Sequence, residues 1–159
     1  MKAHIPENSN RRRRICKLKK PEFPCFCCGI CCSKFQPRLS VSEARILAHN
    51  LGISWERFLA EYIDPHWPGS RSYLLCQNDG ACIFLGTGES KKPKLCLIHD
   101  FKPTCCAEWK QGINRSECLE GLKADWDLTV DSSGKICGSQ EKIQAFECFI
   151  SVLNKTLTK

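Results

Sequence analysis

Cys25-Phe26-Cys27-Cys28-Gly29-Ile30-Cys31-Cys32 places five cysteines in eight positions near the start of the chain. The C-x-x-C spacing lets the backbone turn tightly around one ion, with both sulfurs inward and nearby amide N–H groups facing the thiolates. Cys25/Cys28 and Cys28/Cys31 both have it, and Gly29 supplies the backbone freedom of a tight knuckle. Adjacent residues such as Cys31 and Cys32 project in different directions, so one ion seldom takes both. The pair implies a second metal, a polynuclear cluster, or a structural role for one thiol.

Working outward, Cys76, Cys82, Cys96 and the pair Cys105-Cys106 follow, with gaps ordinary for ligands that reach one site from different loops. Four thiolates satisfy a tetrahedral Zn²⁺, and four also satisfy a [4Fe–4S] cluster, so spacing leaves zinc and iron both open. Cys16, Cys137 and Cys148 read as ordinary thiols, and Cys118 is undecided. Glu43, His49 and His66 carry metal donors but read as capping or solvated residues.

Fourteen cysteines in 159 residues, about 9%, is a level that in a short secreted chain indicates a disulfide scaffold. The first residues, from Met1-Lys2-Ala3-His4 to Arg11-Arg12-Arg13-Arg14, lack the apolar stretch of about 7–15 residues that a secretory signal needs. The longest apolar runs, such as Phe146 to Leu153, fall far short of the ~20 residues of a bilayer span. We therefore expect a soluble cytoplasmic chain in which cysteines ligate metal or do thiol chemistry.

The net charge of +7 is carried by residues 1–20, where Lys2, Arg11 to Arg14, Lys17, Lys19 and Lys20 face only Glu7. From residue 21 onward, 16 Lys and Arg balance 16 Asp and Glu, being 24 less 8 and 17 less 1. We read residues 1–20 as a disordered basic tail and residues 21–159 as a single cysteine-cluster domain. Such a tail also offers contact with nucleic acid or an anionic surface.

Ser40-Val41-Ser42-Glu43 reads as a capping box opening a helix to about Asn50, with Gly52 as its stop. Ser54 caps a second helix, Trp55 to Ile63, and Leu47, Leu51, Trp55, Phe58, Leu59 and Tyr62 supply apolar faces. Ser72 to Cys76, Cys82 to Leu85 and Leu95 to Ile98 read as short strands or extended loops. Pro103 opens a helix expected to reach about Lys110, and Asn114 caps another ending near Gly121. Asp131-Ser132-Ser133-Gly134 is a hairpin turn between Asp127–Val130 and Lys135–Cys137. The clearest helix is the last, Gln140 to Leu157, with Ile143, Phe146, Phe149, Ile150 and Leu153 on one side. The expected fold is a small, irregular, metal-stabilised α+β domain with several short helices, a few short strands and a C-terminal helix.

Taken together, these motifs resemble the YkgJ-type cysteine-cluster family, named for its CxxCxxCC motif and described as zinc- or iron-chelating. The motif falls on Cys25, Cys28, Cys31 and Cys32, with Gly29 at the family's usual glycine. Leu39-Ser40-Val41-Ser42-Glu43 matches its helix start, and Cys82-Ile83-Phe84-Leu85 its Cys-x-x-Leu segment. Cys96-Leu97-Ile98-His99 and Lys102-Pro103-Thr104-Cys105-Cys106 match its Cys-x-Ile-Tyr and Arg-Pro-x-x-Cys block. That alignment assigns Cys106, not Cys105, to the family position. The resemblance covers about residues 25–110, and it departs at His99, which replaces Tyr, and at Lys102, which replaces Arg. It implies metal ligation by Cys25, Cys28, Cys31, Cys32, Cys82, Cys96 and Cys106, with Cys76, Cys105, Cys118 and His99 left open.

Four functions are compatible with these residues. The first is a module whose zinc or iron–sulfur centre holds loops together. The second follows from the cysteine motif's resemblance to flagellin lysine methylases: an iron–sulfur enzyme that modifies protein. The third is a zinc protein that binds nucleic acid through the arginine run, although the neutral body gives no broad phosphate footprint. The fourth is thiol exchange at Cys28/Cys31, for which a thioredoxin-like context is lacking. No G-x-G-x-x-G, P-loop or Ser-His-Asp-like pattern is present. A protein partner is a further open expectation.

Overall fold

A computed structural model describes residues 23–67, 69, 71–86 and 93–157. The basic tail, residues 1–20 with Cys16, lies outside the described residues.

The cysteine motif winds into a short helix, α1 (Ile30–Lys34), entered through Gly29 at φ 77°. A Cβ at that glycine would fall 2.8 Å from the Lys94 side chain and 3.2 Å from Leu85, so both the left-handed turn and the close approach call for glycine. The chain leaves α1 into β1 (Arg38–Ser40), which pairs antiparallel with β2 (Ser72–Leu74), Leu39 opposite Tyr73. Between them lie α2 (Val41–Asn50) and α3 (Trp55–Tyr62). Both start as their sequences predict. Ser40 and Glu43 exchange side-chain and backbone hydrogen bonds in a capping box, and the Ser54 hydroxyl accepts from Arg57 N–H. Gly52, at φ 67°, turns the chain between them.

β3 (Gln77–Asn78) and β4 (Ala81–Cys82) form a minimal hairpin, and Leu85 then bridges to Cys96. A 3₁₀ turn over His99–Phe101 precedes α4 (Thr104–Ala107). The last part of the domain comprises α5 (Ser116–Trp126), the hairpin of β5 (Thr129–Val130) with β6 (Ile136–Cys137), and α6 (Gln140–Leu157). Gly134, at φ 86°, makes the turn of that hairpin.

Three expectations are corrected. The motif is part helix where sequence spacing indicated only a knuckle, because Gly29 starts a turn that the chain continues to Lys34. α4 stops at Ala107, with Pro103 as its N-cap; beyond it the Trp109 ring packs on Phe35, 4.9 Å between centroids, and under Arg115. α5 starts after Arg115, not Asn114, and continues through Gly121 to Trp126. Asp127, at φ 50°, ends it, and Lys123 and Lys142 pair with its carboxylate.

Two apolar clusters hold these elements. The first buries Leu39, Leu47, Phe58, Leu75, Phe84 and Ile98, and Tyr62 stacks between Phe58 and Phe84 at 5.6 and 5.2 Å. The second buries Phe26, Leu122, Leu128 and Phe146, with Phe26 and Trp126 edge-on to Phe146. Each such side chain contributes about 1.5–3 kcal/mol on burial. Helix α1 runs between the two, touching α5 on one side and β4 on the other, and the Lys34–Glu120 ion pair ties it to α5. The described residues therefore form a small, irregular α+β structure that closes with a C-terminal helix. No helix among them is long and apolar enough to cross a membrane.

Candidate metal centre

Successive residues of a helix point about 100° apart, so Cys31 and Cys32 of α1 face different neighbours although their sulfurs lie 4.0 Å apart. Cys25, Cys28 and Cys31 are electrostatic neighbours of one another. Cys28 is pressed against α5: a Cβ built at Gly121 would fall 2.4 Å from its Sγ. Cys118, one turn earlier on α5 and 8% exposed, interacts with Cys25, Cys28 and Cys31. Cys32 shares a hydrogen bond with Cys31 and is also an electrostatic neighbour of Cys82 and Cys96.

Backbone hydrogen bonds position that second set. Leu85 N–H donates to the Cys82 carbonyl, Leu97 N–H to Phe84 and Gly86 N–H to Leu95, which brings Cys82 and Cys96 onto neighbouring extended segments. Both thiols pack on the first apolar cluster, whereas Cys28 packs on the second. Cys106 arrives on α4, where it interacts with Cys82 and Cys96. Glu43 fixes α4 in place: its carboxylate, besides closing the box at Ser40, accepts from Thr104 N–H at 2.9 Å.

A hydrogen bond from the Cys27 thiol, aided by Lys102 and His99, lowers Cys25 to about 6. A hydrogen bond from Cys32 lowers Cys31 to about 7. The donors Cys27 and Cys32 are pushed up by the same bonds. Burial raises Cys28 to about 11 and Cys106 to about 12, and it also raises Cys82 and Cys118. A bound cation's charge favours thiolate at each sulfur that it contacts.

The other candidates sit apart or differently. Cys105 is exposed, its thiol 4.0 Å from that of Cys106 and directed at the Arg38 carbonyl. Cys76 is half-buried, raised by burial and by Asp64 rather than by another thiol. His99 pairs with Asp100 at 3.7 Å on the side of Cys25. Cys137 donates toward Asp131 and the Lys135 carbonyl, and Cys148 is exposed on α6. His49 is exposed at the end of α2, and His66 contacts Asp64. Sequence reasoning passed over Cys27 and left Cys118 undecided. The available signal for Cys118 was a small residue, Gly121, one turn after a cysteine in a helical stretch.

Among the described residues, no group of three or more Cys, His, Asp or Glu side chains closes into a cage around an ion. The donor chemistry nevertheless fits a thiophilic metal. The sulfurs of Cys31 and Cys32 and those of Cys105 and Cys106 lie 4.0 Å apart, and a sulfur swings by about 3 Å between χ1 wells. Zn²⁺ and iron–sulfur centres are held by such sulfur sets, whereas Ca²⁺ and Mg²⁺ take oxygen.

Compared with known families, residues 24–129 match the model of the CxxCxxCC family, described as "Putative zinc- or iron-chelating domain". No curated protein and no solved structure matches the chain.

Proposed function

The chain belongs to the CxxCxxCC family of zinc- or iron-chelating domains, and from that premise we propose that it holds zinc or an iron–sulfur cluster through Cys25, Cys28, Cys31, Cys32, Cys82, Cys96 and Cys106. What supports the reading is the family match over residues 24–129, together with the close sulfur–sulfur approaches of Cys31 to Cys32 and of Cys105 to Cys106, 4.0 Å in each case. When bound, the metal supplies a cross-link between segments that share little regular structure. The chain supplies the rest: the cysteines offer sulfur donors, Gly29 sets the turn into α1, and Glu43 holds α4 with Cys106 against β1.

Among the described residues, three two-stranded pairings and several short helices give little self-sufficient structure. We accordingly assign the metal a role in joining the two apolar clusters into one folded unit over residues 21–159. Thirteen free thiols among the described residues suit a reducing compartment such as the cytoplasm. The test is anaerobic purification followed by metal analysis and a visible spectrum. Stoichiometric metal is expected, with broad brown absorbance for an iron–sulfur centre and a colourless protein for zinc. Cys28→Ser and Cys31→Ser should each lose metal; full metal content and unchanged melting in both would overturn the assignment.

A further inference from the structure

Two pairs of adjacent cysteines bring sulfur to within 4.0 Å of sulfur, Cys31 with Cys32 and Cys105 with Cys106. The pairs differ in access. Cys31 and Cys32 are both half-buried, whereas Cys105 is exposed and Cys106, beside it on α4, is half-buried. The Cys105 thiol donates toward the Arg38 carbonyl, 3.5 Å away. It stands outside the ligand set proposed above, so α4 pairs an accessible thiol of no assigned use with a proposed ligand.

We propose that Cys105 is an exchange site for small disulfides such as oxidised glutathione, and that it passes the disulfide bond to Cys106 and so withdraws a sulfur from the metal centre. This rests on the metal-binding reading above and adds to it a chemical control. In the first step the Cys105 sulfur attacks one sulfur of the small disulfide. A bond from Cys105 to one glutathione forms, the glutathione S–S bond breaks, and the other glutathione leaves with the Cys105 proton. In the second step the Cys106 sulfur attacks the Cys105 sulfur. The Cys105–Cys106 bond forms, the remaining glutathione leaves as its thiolate, and Cys106 gives up the proton or metal that it held. Two cysteines are oxidised and one small disulfide is reduced to two thiols, so the electrons balance without a further reagent.

The geometry of α4 suits both steps. Exposure lets Cys105 meet the reagent first, and site-selective thiol chemistry follows access. From 4.0 Å the two sulfurs must close by about 2 Å to reach bonding distance, less than the ~3 Å that a χ1 change moves a sulfur. α4 is a single turn, Thr104–Ala107, and the peptide between the two cysteines is tied by the Cys106 N–H bond to the Pro103 carbonyl, so its rotation disturbs little regular structure. Adjacent Cα atoms lie about 3.8 Å apart, short of the roughly 4.4–6.8 Å usual across a disulfide, which strains the new bond and makes it easy to reduce. A disulfide sulfur has no thiolate to give, and the thiolate is the metal ligand.

The test treats the anaerobically purified, metal-bound full chain with oxidised glutathione and follows metal release and peptide masses. The wild-type peptide with Cys105 and Cys106 should become lighter by two hydrogens as metal is released, and reduced glutathione should remove the new bond. Cys105→Ser, which keeps a donor for the Arg38 carbonyl, should hold metal as the wild type does and release it at least about tenfold more slowly. Cys105→Ala, without the hydroxyl, should behave the same. Equal release rates in wild type and both variants overturn the proposal. So does a wild type that forms no Cys105–Cys106 bond, or one that forms it and keeps its metal. A wild-type chain purified without metal overturns the metal-binding reading instead, and the disulfide, read by mass, keeps the two failures apart.

Discussion

Gly121→Ala tests the contact between α5 and the cysteine motif by the sign of its effect. In a helix interior, Ala is favoured over Gly by about 1 kcal/mol, so propensity alone predicts a stabilised protein. Packing predicts the reverse. The new Cβ would lie 2.4 Å from the Cys28 Sγ, 2.7 Å from its Cβ and 3.3 Å from the Phe26 ring. Carbon atoms rest comfortably at about 3.5–4.0 Å, so α5 has to retreat by about 1 Å. The sulfur can rotate away, but the Cys28 Cβ is fixed to the backbone. Overpacking of this kind costs about 1–3 kcal/mol, and the fixed contact puts this case at the upper end. The net is about 2 kcal/mol of destabilisation, or a fall of roughly 4–8 °C in the melting midpoint at 2–4 °C per kcal/mol. Differential scanning fluorimetry of wild type, Gly121→Ala and the control Gly112→Ala, whose new Cβ meets nothing nearer than 3.9 Å, provides the assay. A Gly121→Ala protein that melts at or above the wild-type temperature would refute the close approach of α5 to Cys28.

Other outcomes follow from single contacts. Glu43→Gln removes the charge from hydrogen bonds to Ser40 and Thr104 and should cost about 1.5–3 kcal/mol at pH 7 in urea unfolding. Hydrogen bonds from Ser40 and Thr104 hold the folded Glu43 carboxyl at about 2, below the ordinary 4.5; the stabilisation is therefore full above the unfolded value and lost as pH falls through the folded one. The gap between wild type and Glu43→Gln should narrow from pH 4.5 down to pH 2, and a gap independent of pH would show that the charge is irrelevant. Leu39→Ala, at a fully buried side chain in β1, should cost about 2–5 kcal/mol in the same assay, and a loss under 1 kcal/mol would mean that β1 does not pack as described. Stripping metal with a chelator at pH 7 should lower the melting midpoint by about 10 °C or more, since a loss of even ~4 kcal/mol acts at 2–4 °C per kcal/mol. An unchanged midpoint in a demonstrably metal-free chain would remove the structural role.

Local signals in the sequence were read well where one residue type enforces one conformation. The Ser40/Glu43 box, the Ser54 cap, the turns at Gly52 and Gly134, and the α6 face bearing Phe146 and Leu153 all depend on neighbours within a few residues. What escaped was set by distant partners. α4 is short because Trp109 is drawn to Phe35, 74 positions earlier in the numbering. Gly121 reads as a helix stop, yet it is a space left for Cys28, 93 positions away. The same limit applies to the site. The C-x-x-C spacings marked the motif, but the packing of Cys28 against Gly121 depends on how α5 docks.

The central claim is that sulfur from this chain holds the metal, and X-ray absorption at the metal edge of the anaerobically purified protein tests it most directly. The account predicts a first shell made only of sulfur, at about 2.3 Å and four per metal atom if the metal is zinc. A first shell of nitrogen and oxygen at about 2.0–2.2 Å would contradict it.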